Sequence, residues 1–98
     1  MEQNSRQVTC INQRGRGYEP HELIHAIGGV MRFIHWRRLE SEVIRDIEAN
    51  RVGYYVSVDG RSVWLVVAVH RGRKYLKTEA DGYSPDNLLA LPECPMIS

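Results

Sequence analysis

The sequence predicts a single α+β domain, a mainly antiparallel β-sheet of about five strands with one α-helix packed on one face. Three observations predict it. The chain has 98 residues, and two domains of half that length would each be too small to support a core. From Val52 to Thr78, apolar and polar residues alternate across two tight-turn dipeptides, Asp59-Gly60 and Arg71-Gly72. Between Arg38 and Ala49 the apolar residues recur with the period of a helix instead.

In chain order, polar residues 1–6 form an expected disordered start, the domain runs over 7–94, and 95–98 are a short C-terminal end. The β-rich run Gln7-Val8-Thr9-Cys10-Ile11-Asn12 fits a first strand. Gln13-Arg14-Gly15-Arg16-Gly17 then breaks it as a basic, glycine-softened loop. Farther on, Gly28-Gly29 suits a two-residue hairpin turn, with Met31 to Trp36 alternating as its second strand. Residues 21–36 stay open between a strand hairpin and a short helix.

The helix spans Arg38 to Ala49. Leu39, Val43, Ile44 and Ile47 form its core-facing stripe, while Glu40, Glu42, Arg45, Asp46 and Glu48 line its outer face. Asn50 is a suitable left-handed stop. Three strands follow, Val52 to Val58, Arg61 to His70 and Arg73 to Thr78. A two-residue turn at Asp59-Gly60 sets Val58 against Arg61, Val56 against Val63 and Tyr54 against Leu65. Tyr54, Val56, Val63, Leu65, Val67, Val69 and Leu76 then share the face under the helix. Tyr55, Trp64, Val66, Ala68 and Tyr75 share the other, which is too apolar to be left in water. The leucine tail with the first strands is the expected cover, and a second copy of the chain is the alternative.

The tail carries two turn signals, Asp81-Gly82 and Ser84-Pro85-Asp86-Asn87, followed by Leu88, Leu89 and Leu91. It reads as a C-terminal strap. Thr78, Asp81 and Asn87 either hold that strap in shape or form a small recognition site.

The stretch T-E-A-D-G-Y-S-P-D-N-L-L-A-L-P-E-C, Thr78 to Cys94, resembles the closing signature T-x-A-D-G-x-x-P-x-N-L-L-x-L-P-x-C of a small bacterial family of unknown function. Ile24-His25-Ala26-Ile27-Gly28-Gly29, Trp36, Val43-Ile44-Arg45-Asp46-Ile47-Glu48 and Tyr54-Tyr55-Val56 are similar to the same family, so the resemblance covers roughly residues 7 to 94. It implies a compact bacterial domain with no known activity and no catalytic residues to carry over.

Function is less legible. The net charge of +1 gives no global field for nucleic acid, but the basic residues are eleven Arg against two Lys. Arg14, Arg16, Arg71, Arg73 and Lys74 sit in two glycine-softened loops, and if these loops meet they form an anion patch. His21-Glu22-Leu23-Ile24-His25 spells H-E-x-x-H, whose histidines bind zinc when they share one helix face. Here Pro20 precedes it and Gly28-Gly29 follow within about a turn of His25. Read as strand, the two histidines stand about 13 Å apart, too far to share one metal. No run of residues is long and apolar enough to span a membrane. The polar N-terminus, with only Cys10 and Cys94, points to a reducing cytoplasm and free thiols.

The expectation is therefore a small cytoplasmic, non-enzymatic binding or accessory module with a protein or nucleic-acid partner, no cofactor and no membrane contact. It is a monomer, or a homodimer through the Tyr55/Trp64 face. The alternative is a zinc-dependent hydrolase using His21, Glu22 and His25.

Overall fold

At Val8 and Thr9 the chain leaves one sheet and enters another. The Val8 N–H donates to the Tyr55 carbonyl at 2.7 Å, and the next N–H, of Thr9, donates to the Gly28 carbonyl at 2.9 Å. In the structure, a computed structural model that describes residues 4–95, the expected first strand is thus two strands, β1 (Asn4–Gln7) and β2 (Cys10–Gln13). They are followed by a 3₁₀ turn (Pro20–Glu22), β3 (Ile24–Met31), β4 (Ile34–Leu39) and α1 (Glu40–Glu48). Then come β5 (Val52–Val58), β6 (Arg61–His70), β7 (Arg73–Thr78) and the single-turn α2 (Asp86–Leu89).

The strands form a four-stranded sheet, β1-β5-β6-β7, and a three-stranded sheet, β2-β3-β4. The α+β class holds, with seven strands rather than five, and every pair is antiparallel except β1–β5. Residues 4–6, expected as part of a disordered start, pair in parallel with Val52–Tyr54. Residues 1–3 of that start and 96–98 of the expected C-terminal end lie outside the described residues.

The meander follows its expected register, with Val58 opposite Arg61 and Val56 opposite Val63. Asp59-Gly60 and Arg71-Gly72 make its turns, all four residues at positive φ. The first hairpin departs from expectation. Gly28 and Gly29 lie inside β3, and the turn falls at Arg32-Phe33. The glycines serve close approach. A Cβ on Gly29 would collide with the Gln7 carbonyl oxygen, and one on Gly28 would lie 2.7 Å from the Trp36 carbonyl oxygen.

The cysteines are not free. Cys10 and Cys94 form a disulfide across 84 residues of sequence. The tail returns alongside β2, where the Ile11 N–H donates to the Pro92 carbonyl and the Cys94 N–H to the Ile11 carbonyl, at 3.0 and 2.9 Å. Gly28, lacking a Cβ, leaves room for both sulfurs. The chain ends meet, which the sequence reading had not expected, and the support that free thiols lent to a cytoplasmic location falls away. No helix among the described residues is long and apolar enough to cross a membrane.

α1 begins at Glu40 rather than Arg38, because Arg38 and Leu39 are still in β4. The Leu39 N–H donates to Glu42 Oε1 at 2.9 Å, which satisfies one of the donors a helix start leaves free. Val43 and Ile44 are buried from α1, and Ile47 is half-buried against the same cluster. That cluster joins Val8, Ile11, Ile24 and Ile27 of the first half to Tyr54, Val56, Leu65 and Leu76 of the meander. Val69, expected beneath the helix, is exposed at the far end of β6.

Leu88 of α2 is fully buried and joins the cluster that holds Tyr54, Leu65 and Leu76. The tail therefore packs onto the helix-side core instead of over Tyr55 and Trp64. On that second face Tyr75 is buried, with its hydroxyl donating to the Tyr83 carbonyl at 2.8 Å. The Trp64 ring lies over Gly53 and beside Tyr55, and remains partly exposed.

Candidate functional site

The two basic loops do meet, and what they meet around is an acid. Glu40, assigned to the outer face of the helix from the sequence, is buried. Its Oε1 faces Arg73 Nη2 at 2.9 Å and Arg14 Nη2 at 3.6 Å. Burial pushes the Glu40 carboxyl above its ordinary range, and the nearby Arg73 and Arg14 guanidiniums only partly oppose this. Arg73 Nη1 also donates to the His21 carbonyl and Arg14 Nε to the Glu22 carbonyl, each at 2.9 Å. Lys74 pairs with Glu48 at 2.7 Å. Of the five basic candidates, only Arg16 and Arg71 make no ion pair among the described residues.

Thr78, Asp81 and Asn87 close a ring of hydrogen bonds. Asp81 Oδ2 accepts from the Thr78 N–H at 2.9 Å and its hydroxyl at 3.0 Å, and Asp81 Oδ1 accepts from the Asn87 N–H at 3.2 Å. The Asn87 side-chain amide completes the ring at Thr78 Oγ1, 3.0 Å away. Asp81 thus serves the outer edge of β7, where it accepts from the Thr78 N–H, while Glu40 Oε2 is buried without a hydrogen-bond partner among the described residues.

The H-E-x-x-H stretch is divided between the 3₁₀ turn, which holds His21 and Glu22, and β3, which holds His25. It does not present one helix face. His21 is buried, its Nδ1 lies 2.6 Å from the Tyr83 hydroxyl, and its ring stacks at a tilt on His70 with centroids 4.4 Å apart. Among the described residues no three His, Cys, Asp or Glu side chains gather as a metal-holding group.

A different surface stands out, at the tip of the β3–β4 hairpin. Its turn puts Arg32 at φ 51° and Phe33 at φ 67°. The other two hairpins turn the same way, with φ 50° and 81° at Asp59-Gly60 and 51° and 79° at Arg71-Gly72. Both place glycine second, where a Cβ is unfavourable; the third places phenylalanine there. Around it the apolar side chains are open to solvent, Phe33 at 99%, Ile34 at 69%, Val30 at 50% and Met31 at 40%.

The charge around this tip has one sign. From Ile24 to Leu39 the chain carries Arg32, Arg37 and Arg38 and no acidic residue. Arg38 pairs with Asp46 at 3.0 Å, while Arg37 Nε donates to the neutral side chain of Asn12 at 2.7 Å. Arg6, from β1, stacks on the Trp36 ring 5.3 Å from its centroid. Between them lies a cleft of about 210 Å³ lined by Arg6, Met31, Arg32, Ile34 and Trp36. The sequence reading missed this surface because Phe33 and Ile34 look like interior strand residues. The available signal was sixteen residues of hairpin without an acid.

The chain matches a family model described as protein of unknown function (DUF3892) over residues 7–92, and it belongs to that family. No curated protein and no solved structure matches it.

Proposed function

We propose that this member of a family of unknown function is a non-enzymatic binding module that engages a protein partner through its β3–β4 hairpin. The observation that carries the reading is Phe33, a fully exposed aromatic held at positive φ in a turn whose two counterparts use glycine. A left-handed residue with a Cβ costs about 1–2 kcal/mol, and full exposure returns no burial to offset it. Nothing in the isolated fold rewards phenylalanine there. A partner that buries the ring does, and exposed aromatics beside arginine are typical anchors of protein interfaces.

The competing reading, a phosphate-binding arginine surface, draws less support. Arg14 and Arg73 are held by one buried carboxylate and Lys74 by its own acid, so among the described residues only Arg16 and Arg71 of the five are without an ion pair. Thr78, Asp81 and Asn87 satisfy one another, which favours a strap over a recognition site.

Photo-crosslinking in the cells that make the protein tests this directly. A photoreactive residue at position 33 should capture discrete protein partners, the same residue at position 60 should capture none, and Ile34→Asp should abolish the adducts at 33. Equal labelling from both positions, or none from either, would remove the hairpin as the binding element.

A further inference from the structure

We infer that the partner supplies an extended acidic segment, which adds to the free edge of β4 as a fourth strand of the small sheet; this rests on the hairpin reading and specifies its chemistry. An edge strand presents unpaired N–H and C=O groups unless something covers them. The outer edge of β2 is taken by the tail, through Ile11, Pro92 and Cys94. β7 is bonded at Thr78 by Asp81, and both its Leu76 and its Thr78 are fully buried. β1 is four residues long.

β4 is six residues long and is the edge of its sheet. In its antiparallel pairing with β3 the turn-closing pair is Met31 with Ile34, so Ile34, Trp36 and Arg38 bond inward and His35, Arg37 and Leu39 face out. The Leu39 N–H is taken by Glu42. The backbones of His35 and Arg37 make no hydrogen bond outside the ladder among the described residues. The β4 edge is therefore open, and it lies beside the exposed apolar tip.

Charge selects what can fill it. A second copy of β4 would set Arg32, Arg37 and His35 against themselves or one another, and like charges across a strand pair are destabilising. An acidic strand meets the reverse situation. With its apolar side chains on the Trp36 face, its carboxylates fall on the opposite face with His35 and Arg37, and Arg37 has no acidic partner among the described residues. Its main chain completes His35 and Arg37. An apolar side chain of the same segment fits the cleft over Met31, Ile34 and Trp36. Backbone bonds supply affinity in such strand addition, and alternate side chains supply specificity.

The test uses the full chain and a capped octapeptide alternating glutamate and valine, read by amide hydrogen exchange. At millimolar peptide, exchange at His35 and Arg37 should slow by about tenfold or more, with the Asp59-Gly60 hairpin unchanged. A lysine–valine peptide, and the glutamate peptide N-methylated along one edge, should leave both amides fast. Arg37→Glu should exchange the preference between the two peptides. Unchanged exchange with the glutamate peptide overturns the inference, as does equal protection by the lysine peptide. Protection by phosphatidylserine vesicles but not by peptide assigns the tip to a lipid surface instead. Protein adducts at position 33 without protection at His35 and Arg37 would leave the hairpin reading standing and strand addition refuted. Protection without adducts would do the opposite.

Discussion

The Tyr54 hydroxyl donates to Asp46 Oδ2 at 2.7 Å inside the core, and Arg38 Nε donates to the same oxygen at 3.0 Å. One carboxylate thereby ties α1 to β5 and to the end of β4. Burial, followed by the hydrogen bond to Asp46 and its charge, raises the tyrosine from 10.0 to about 12. The folded state therefore prefers the protonated hydroxyl. Its contribution is fully present below pH 10 and is lost as the pH rises through about 12. A rise of that size corresponds to about 2–3 kcal/mol. Urea unfolding of the parent and of Tyr54→Phe between pH 8 and pH 12 should show the parent losing its advantage across that window. A pH-independent difference would mean that the folded state does not hold the Tyr54 hydroxyl protonated.

The meander and its register could be read from sequence because each determinant is local: an alternating pattern on either side of two turn dipeptides that end in glycine. The β3–β4 turn could not, since arginine and phenylalanine carry no turn propensity at positive φ and the nearby Gly28-Gly29 pair offered a false one. Those glycines are needed by Gln7 and by the disulfide, neighbours set by topology rather than by spacing. Glu40 and Asp46 were misplaced for a related reason. A helical pattern assigns acids to the solvent side, and only the tertiary positions of Arg73, Arg14, Arg38 and Tyr54 make their burial tolerable. The arginine loops could be linked from sequence only on the condition that they meet; the acid shared by Arg14 and Arg73 was invisible, and so was the open edge of β4.

The Cys10–Cys94 bridge closes a loop of 84 residues. Loop-closure entropy for that length predicts a contribution of about 3–5 kcal/mol. Adding a thiol reductant should lower the urea midpoint of the parent by a corresponding amount and leave Cys10→Ser unaffected. Identical midpoints with and without reductant would show that the thiols stay apart in solution.

Asp81→Ala removes the acceptor for three donors, two from Thr78 and one from Asn87. Thr78 is fully buried, so its N–H and hydroxyl cannot turn to water for replacements. The expected loss is about 2–3 kcal/mol, with Asp81→Asn recovering part of it. Unfolding curves measure the loss, and faster amide exchange at Asn87 and Leu88 would locate it in the tail. A neutral substitution would mean that the ring of hydrogen bonds does not hold the strap.

The Arg32-Phe33 turn separates what folding favours from what binding favours. Replacing it with Asn-Gly gives the β3–β4 hairpin the residues that a turn with two positive φ angles prefers. Both left-handed residues of the present turn carry a Cβ at unfavourable φ, so the double variant should gain about 1–2 kcal/mol in stability. It should also retain the β4 register, because the number of turn residues is unchanged. If Phe33 is a binding anchor, the same variant loses its partner while becoming more stable. If the ring were instead part of the fold, stability would fall. Denaturant midpoints and crosslinking from position 34 in that variant distinguish the two: higher stability with undiminished capture would leave Phe33 without a role in binding.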